Sequence, residues 1–201
     1  MNKLYYVYDP MCSWCWGFKN SFEALKQSIP PFVEIVYVLG GLAPDSDVPM
    51  AIEMQKMLQE VWKKVAITTG ATFNHEFWTQ CHPRRSTYPA CRAVLAAKML
   101  GKEEAMMHAL QEAYYLRALN PSDTSTHLLL AQELGLAVER FHDVLISSQV
   151  EESLQADIAR ARALHVKGFP ALVLETAAGI FPISVDYLDE KTMLKHICLL
   201  S

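Results

Sequence analysis

The start of the chain alternates between strand-like and helix-like patterns. Residues 4–8 are rich in β-branched and aromatic side chains, which favour a strand. From residue 13 to residue 27 the apolar side chains recur at helical spacing, which predicts a helix. Residues 32–39 form a nearly continuous β-branched and aromatic run, ended by Gly40-Gly41, and such a run is typical of a strand covered on both faces. The chain therefore opens with a predicted β-α-β unit.

The middle of the chain, from about residue 48 to residue 165, has helical periodicity. It begins with an apolar stripe whose members are three or four residues apart or adjacent: Met50, Met54, Met57, Leu58, Val61, Trp62 and Val65. The stripe predicts a helix face buried in the core, the alternative being a hydrophobic groove for unfolded clients.

Five further helices are predicted after this stripe. Four lie near residues 88–100, 102–118, 124–134 and 138–147. The fifth opens at a capping box of Ser148 and Glu151. Its apolar face comprises Val150, Leu154, Ile158, Ala161 and Leu164.

The end of the chain returns to β patterns. Residues 171–175 and 180–183 are short strand-like runs on either side of Ala178-Gly179, which predicts a hairpin. Apolar residues spaced between 188 and 197 support a final helix. The predicted order is β-α-β, a long helical block and β-β-α, which indicates the α/β class.

Composition and charge narrow the classes of function. Of 201 residues, 51% are hydrophobic and 20% are charged, so the chain can bury a sizeable core and is not a disordered protein. The net charge of −4 argues against a nucleic-acid-binding protein. No apolar run approaches the roughly 20 residues that cross a bilayer, and no secretory leader is evident. We expect a cytoplasmic protein without membrane or nucleic-acid partners.

The motif that carries chemistry is Cys12-Ser13-Trp14-Cys15, the only C-x-x-C among five cysteines. It lies between a predicted strand and the start of a predicted helix. In a helical turn residues i and i+3 are neighbours, so the two sulfurs can approach each other. The N-terminus of the helix also stabilises a thiolate, chiefly on Cys12. This context favours a redox-active pair. Half of a zinc site and two inert thiols are the alternatives, but zinc needs two more ligands, and Cys81-His82 is the nearest candidate pair. We expect no metal and no organic cofactor.

A second motif, Gly168-Phe169-Pro170, directly precedes the strand predicted at 171–175. Proline is permitted at the first position of a strand. A cis bond before Pro170 would turn the chain sharply and present the backbone of Phe169 at the end of the sheet, whereas a trans turn is the more common case. The sequence leaves the isomer open.

These motifs resemble the DsbA-like family of thioredoxin-fold proteins. The resemblance is greatest to the FrnE-like branch, which is usually described as cytosolic oxidoreductases and candidate disulfide isomerases. Three segments carry it in the order of the family: residues 9–18, residues 131–136 and residues 164–174. The resemblance spans nearly the whole chain and implies a thioredoxin-like α/β fold.

The resemblance also implies how the chain is divided. Residues 1–45 and 166–201 would form the thioredoxin-like core. Residues 46–165 would form an all-helical domain inserted between the second and third strands. The chain would then be one discontinuous domain with an insertion, not two domains in tandem.

The resemblance implies a role for each residue of the two motifs. Cys12 matches the exposed nucleophile that forms a mixed disulfide, and Cys15 matches the buried thiol that resolves it. The Ser13-Trp14 dipeptide occupies the positions that tune the redox potential. Pro170 matches a cis-proline beside the disulfide, and the backbone of Phe169 would pair with an extended substrate peptide.

Two departures from the family lower the expected reactivity. A buried acid six residues before the nucleophile is replaced here by Tyr6, whose neutral phenol cannot act as a base at pH 7. The Ser13-Trp14 dipeptide also lacks the histidine of the strongly oxidising members. We therefore expect a weaker oxidant without thioredoxin-like turnover.

Three functions are compatible with this sequence. The first is a thiol–disulfide oxidoreductase acting on protein or small thiol and disulfide substrates, glutathione among them. The second is a glutathione-dependent transferase or isomerase of the kappa-class or hydroxychromene carboxylate isomerase type. Those relatives place a serine at the nucleophile position, so the two cysteines count against it. The third is a chaperone-like or metal-binding module that uses the helical face.

The other three cysteines are interpreted separately. Cys81 and Cys91 bracket Arg84 and Arg85, so they could form a regulatory disulfide, or the arginines could attract a substrate carboxylate or a glutathione-like group. A solvated loop with two part-buried thiols is the simpler interpretation. Cys198, in the last predicted helix, is expected to pack in the core.

Overall fold

The protein has a mixed α/β fold, described over residues 1–201 by a computed structural model. Its four strands are β1 (Asn2–Tyr8), β2 (Val33–Leu39), β3 (Ala171–Thr176) and β4 (Gly179–Ile183). Its helices are α1 (Ser13–Ser28), α2 (Ile52–Thr69), α3 (Phe77–Gln80), α4 (Tyr88–Met99), α5 (Glu103–Tyr115), α6 (Thr124–Glu133), α7 (Val138–Leu145), α8 (Ser148–Ala163) and α9 (Glu190–Leu200). Helices α2 to α8 all lie between β2 and β3, so the predicted order of elements is confirmed.

Strand β1 lies inside a sheet whose strand order is β2-β1-β3-β4. It runs parallel to β2, with Tyr6 opposite Tyr37, and antiparallel to β3. Residues 4–8 of β1 are all buried, whereas β2 is an edge strand in which residues 35–37 are only partly buried. Both faces of β2 are nevertheless covered, because Ile35 and Tyr37 pack against one hydrophobic cluster and Val36 and Val38 belong to another. The predicted covering of both faces is therefore confirmed for β2, although Phe32, just before it, is exposed.

Side chains alternate along β1 and so reach both faces of the sheet. On one face the Tyr6 ring lies 6.0 Å from the ring of Phe18 and 4.1 Å from that of Phe22, both on α1. Side chains of α9 join the same cluster. On the other face Tyr5 and Val7 pack with the C-terminal end of α8. Helices therefore cover both faces of β1 and fix the position of its C-terminal end.

The helical block shares its core with the sheet. One hydrophobic cluster runs from β1 and α1 into α4, α5, α6, α7 and α8. The apolar face predicted for α8 is buried at every position: Val150, Leu154, Ile158, Ala161 and Leu164. The cap of α8 is one residue earlier than predicted, because the hydroxyl of Ser147, not that of Ser148, accepts the N–H of Val150. No helix has both the length and the apolar character needed to cross a membrane.

Two predictions of buried residues are wrong. On α2 only Trp62 and Val65 are buried, and Met57 keeps 49% of its surface exposed, because most of the stripe faces an open cavity. Cys198 is exposed, because α9 buries the face that includes the preceding residue, Ile197, and Cys198 is turned towards solvent.

Candidate active site

Cys12 and Cys15 lie where β1 passes into α1. After β1 ends at Tyr8, the N–H of Cys12 donates to the carbonyl of Asp9 at 3.0 Å, which closes a tight turn. Cys12 is the N-cap of α1, and its carbonyl accepts the N–H of Trp16 at 3.1 Å. Cys15 lies in the first helical turn, so the two side chains project from the same end of α1. Both are free thiols.

The two thiols differ in exposure. Cys12 keeps 8% of its surface exposed and lines a cavity, while Cys15 is fully buried, as expected. The expectation of an exposed nucleophile is wrong, because residues of the helical block and Phe169 line the cavity beside Cys12 and most of its surface is buried. A substrate that enters this cavity would meet the Cys12 sulfur at its wall.

The two thiols also differ in pKa. The pKa of Cys12 lies below that of an ordinary cysteine, chiefly because the Cys15 thiol donates a hydrogen bond to the Cys12 sulfur. The backbone N–H groups of Cys15 and Trp14 lower the pKa further, whereas burial opposes the shift. Burial and the adjacent Cys12 sulfur raise the pKa of Cys15 well above the ordinary range. The first proton to leave the pair therefore leaves Cys12.

The Phe169–Pro170 peptide bond is cis, which answers the question that the sequence left open. Pro170 directly precedes β3, and the carbonyl oxygen of Phe169 accepts a hydrogen bond from Cys12 Sγ at 3.5 Å. The ring of Phe169 packs on the backbone of Gly40, where an added Cβ would lie 2.0 Å from the ring. The glycine that follows β2 thus allows the Phe169 loop to lie beside the sulfur.

Asp9 is a buried carboxylate next to the site. Its position at the end of a predicted strand does not reveal from the sequence that its side chain is buried. It is fully buried, three residues before Cys12. Its Oδ1 accepts the N–H of Met11 at 2.8 Å, and its Oδ2 accepts the N–H of Leu42 at 2.8 Å and the hydroxyl of Thr87 at 2.6 Å. These bonds tie the turn before α1 to the segment after β2 and to the start of α4. Burial raises the pKa of Asp9 in spite of them.

Tyr6 occupies the position where related proteins carry a buried acid. It is 2% exposed, and burial raises its pKa well above the ordinary value, so the phenol is neutral at pH 7 as expected. The buried acid of this site is instead Asp9, whose charge raises the pKa of both Cys12 and Cys15.

Cys91 and Cys81 have separate environments, and both are free. Cys91 is fully buried in α4, with its thiol 3.6 Å from Asp9 Oδ2. Cys81 follows α3, is partly buried and donates to the carbonyl of Ala118 at 3.0 Å. The interpretation of a solvated loop with two part-buried thiols is wrong for Cys91, because α4 already begins at Tyr88 and directs Cys91 into the core.

A cavity of about 300 Å³ opens beside Cys12, and we call it the Cys12 cavity. Its apolar wall consists mostly of the stripe at the start of the helical block: Met50, Met57, Leu58, Val61 and Trp62. The facing wall includes residues 84–87. Ser13 and Trp14 also line the cavity, and Trp14 packs on Tyr187 with ring centroids 5.2 Å apart. The structure therefore brings both sequence motifs to one cavity.

One group of side chains has the residue types of a metal site. The ligand atoms of Glu23, Glu104 and His108 lie within 4.8 Å of one another, at the contact between α1 and α5. The ammonium group of Lys26 pairs with Glu104 and lies 3.3 Å from a carboxylate oxygen of Glu23. Because a lysine already supplies the positive charge, we assign this group as an ion-pair network.

Comparison with known proteins gives a family and a set of similar structures. The family model described as thioredoxin matches residues 5–179. Comparison with curated protein sequences gives no match. A solved structure of a candidate protein disulfide isomerase from Nitrosomonas europaea has 29% sequence identity and a TM-score of 0.84, covering 99% of this chain and 96% of that one.

Two more distant structures have the same fold. The cytosolic disulfide reductase DsbM from Pseudomonas aeruginosa has 23% identity and a TM-score of 0.81, covering 99% of this chain and 100% of that one, and has also been solved with GSH. The oxidoreductase DsbA from Xylella fastidiosa has 17% identity and a TM-score of 0.65, covering 99% and 83%. Because the thioredoxin family model matches most of its length, this chain belongs to the thioredoxin family, and it has the fold of DsbA-like thiol–disulfide oxidoreductases.

Proposed function

We propose that the protein catalyses thiol–disulfide exchange with Cys12 as the nucleophile and Cys15 as the resolving thiol. The observation that carries the proposal is the difference between the two thiols. Cys12 lines the cavity and has a lowered pKa, whereas Cys15 is buried and has a raised one. A lowered pKa provides the thiolate that attacks a disulfide and also makes the same sulfur a better leaving group.

The exchange has two steps. The Cys12 thiolate attacks one sulfur of a substrate disulfide, which forms a mixed disulfide and releases one substrate thiolate. Cys15 then loses its proton and attacks the Cys12 sulfur, which forms the Cys12–Cys15 disulfide and releases the second substrate thiolate. The protein loses two electrons and two protons, and the substrate disulfide becomes two thiols. The reverse sequence would transfer the disulfide to a reduced substrate.

We propose supporting roles for the neighbouring residues. The carbonyl of Phe169, 3.5 Å from Cys12 Sγ, marks the backbone along which an extended substrate segment would pair. Ser13 and Trp14 would tune the potential of the pair, because the N–H of Trp14 donates towards Cys12. Pro170 would hold the Phe169 carbonyl next to the sulfur.

We also propose a cytoplasmic protein whose partners are small thiols, glutathione included, or protein thiols. The chain has five cysteines, and an odd number argues against a structural disulfide framework and suits a reducing compartment. The DsbM structure named above is described as cytosolic and was also solved with GSH. The closer assignment to the FrnE-like branch is part of this proposal and rests on the sequence resemblance.

The proposal is tested on a Cys198→Ser variant, which removes an exposed thiol that would otherwise react with the reagent. Alkylation by iodoacetamide is followed against pH by mass spectrometry, and the reduced protein is equilibrated in glutathione buffers of graded ratio. We expect Cys12 to titrate below the ordinary thiol pKa of about 8.5, and a Cys12–Cys15 disulfide to form reversibly. A Cys12 that titrates like a free cysteine and never pairs with Cys15 contradicts the proposal.

A Cys15→Ser variant separates this function from the glutathione-dependent transferase or isomerase. Exchange that needs a resolving thiol stops at the mixed disulfide in this variant, so glutathione stays attached to Cys12. Turnover that continues in the absence of the Cys15 sulfur would favour the transferase or isomerase instead.

A further inference from the structure

One charged side chain in the Cys12 cavity has no partner within the protein. The only lysines, arginines or carboxylates that line the cavity are Arg84 and Arg85. The guanidinium of Arg84 donates to a carboxylate oxygen of Asp123 at 2.6 Å and to the carbonyl of Ser122 at 2.9 Å. Arg85 is exposed and forms no hydrogen bond or ion pair with a side chain or a carbonyl. Its positive charge is therefore available to a bound molecule.

The charge of Arg85 contrasts with that of the whole protein. The chain has 18 lysines and arginines against 22 aspartates and glutamates, a net charge of −4. Asp9, the nearest acid in sequence to Cys12, is fully buried behind the turn and does not line the cavity. An anionic molecule gains nothing from the net charge of the protein, so attraction to this site must come from the local guanidinium.

The other walls of the cavity limit the size and character of a ligand. A volume of about 300 Å³ is at the lower end of the range for small-molecule sites. On the α2 side the cavity is lined by Met57, Leu58 and Val61, which can contact the methylene groups of a ligand but cannot pair with a second charged group on it. The cavity thus combines a reactive sulfur, an apolar wall and one free cation.

We propose that Arg85 determines substrate specificity by pairing with a carboxylate of a small disulfide while Cys12 attacks its sulfur. This inference rests on the exchange reaction proposed above. Guanidinium and carboxylate form two parallel hydrogen bonds, which fix orientation as well as charge. The preferred substrates are small disulfides that carry a carboxylate, in preference to neutral or cationic disulfides of the same length.

The chemistry is the exchange already described. The disulfide bond of the substrate breaks, one half is held briefly on Cys12, and the Cys12–Cys15 bond then forms. Two electrons and two protons pass from the protein to the two released thiols. Arg85 takes no part in these bond changes, so it is a positioning residue and its effect depends on the charge of the substrate.

The test uses three linear disulfides that differ in terminal charge: dithiodipropionate, bis(2-hydroxyethyl) disulfide and cystamine. Reduced protein is mixed with each in single-turnover experiments, and formation of the Cys12–Cys15 bond is followed by acid quench and alkylation. Arg85→Gln removes the free cation. Arg140→Gln, on an exposed residue of α7 that does not line the cavity, removes the same charge elsewhere and is the matched control.

We expect Arg85→Gln to lower the rate with dithiodipropionate by about threefold relative to the neutral disulfide, the size expected of one exposed ion pair. The same variant should raise the relative rate with cystamine, and Arg140→Gln should change neither ratio. If the rates with the charged disulfides relative to the neutral disulfide are the same in Arg85→Gln and Arg140→Gln, the proposed role of Arg85 is wrong. The exchange reaction itself is still supported in that case, provided that the neutral disulfide oxidises the wild-type pair. If no disulfide oxidises the wild-type pair, both proposals are wrong.

Discussion

At the scale of single residues, the thiol of Cys15 stabilises the negative charge on Cys12. Its hydrogen bond is the largest cause of the lowered pKa of Cys12. We therefore predict that Cys15→Ala raises the pKa of Cys12 towards the ordinary value, and that Cys15→Ser, which keeps a hydroxyl donor, raises it less. The pH dependence of Cys12 alkylation measures both. Equal values in the two variants would show that the donor group at position 15 is unimportant.

Asp9 acts on the same thiols in the opposite direction, because its negative charge raises the pKa of both cysteines. Asp9→Asn should lower the pKa of Cys12. It should also destabilise the fold by about 1–3 kcal/mol, because the amide cannot accept from every group that now donates to the carboxylate. Alkylation against pH and urea denaturation measure the two effects.

The control for Asp9 is Asp186→Asn. Asp186 also accepts backbone N–H groups, from Leu188 and Asp189, but it lies outside the site and its pKa is lowered by these bonds. This variant should leave the titration of Cys12 unchanged. A Cys12 pKa that moves equally in both variants would contradict the local charge effect of Asp9.

At the scale of secondary-structure elements, α1 and α2 approach closely at a glycine. A Cβ at Gly17 would lie 2.7 Å from Val65 and 3.0 Å from Thr69. We predict that Gly17→Ala destabilises the protein by about 1–3 kcal/mol through overpacking, in spite of the higher helix propensity of alanine. Combining it with Val65→Ala should cost less than the sum of the single changes.

Urea denaturation of the four proteins of this double-mutant cycle measures the coupling between Gly17 and Val65. Gly168→Ala is the control, because a Cβ at Gly168 meets no atom within 4 Å. Strictly additive costs would mean that α2 moves away freely and that the close approach places no constraint on the cavity wall.

The sequence allowed most elements to be predicted, because their signals are local. The β-α-β opening, the C-x-x-C pair and the position of Phe169-Pro170 all follow from neighbouring residues. The contacts of Asp9 could not be predicted in this way, because its partners Leu42 and Thr87 are distant in sequence. The prediction that the stripe beginning at Met50 is buried is wrong for a related reason, because periodicity identifies a helix face but not what that face contacts.

At the scale of the whole molecule, a buried histidine makes stability depend on pH. His127 of α6 is 1% exposed, its Nε2 lies 2.7 Å from the carbonyl of Pro121, and its Nδ1 has no partner. Burial lowers the pKa of His127 to about 4 from 6.5. Between these values the unfolded chain binds a proton that the folded protein does not, so stability falls as the pH drops from 6.5 to 4, by about 3 kcal/mol in total.

The variant His127→Gln tests this pH dependence, because glutamine can still donate to Pro121 but does not titrate. Urea denaturation between pH 4.5 and 7.5 should give a shallower loss of stability on acidification than in the wild-type protein. His196→Gln, an exposed change on α9, should keep the wild-type slope. A His127→Gln slope equal to that of the wild type would contradict the assignment.

The division of the chain into a core of residues 1–45 and 166–201 and an insertion of residues 46–165 is our proposal. The hydrophobic cluster that joins β1 and α1 to α4, α5 and α8 crosses both of these boundaries. The insertion therefore contributes to the same core that positions the turn before Cys12.

The Cys12 cavity combines walls from two parts of the chain. The reacting sulfur, with Ser13 and Trp14, belongs to the β1–α1 junction, whereas α2 and residues 84–87, which supply much of the remaining wall, belong to the helical block. Changes at positions such as Met57 or Arg85 alter the walls without replacing a residue of the sheet or of the buried face of α1. In evolutionary terms, the choice of substrate in this protein can diverge while the sulfur chemistry is inherited unchanged.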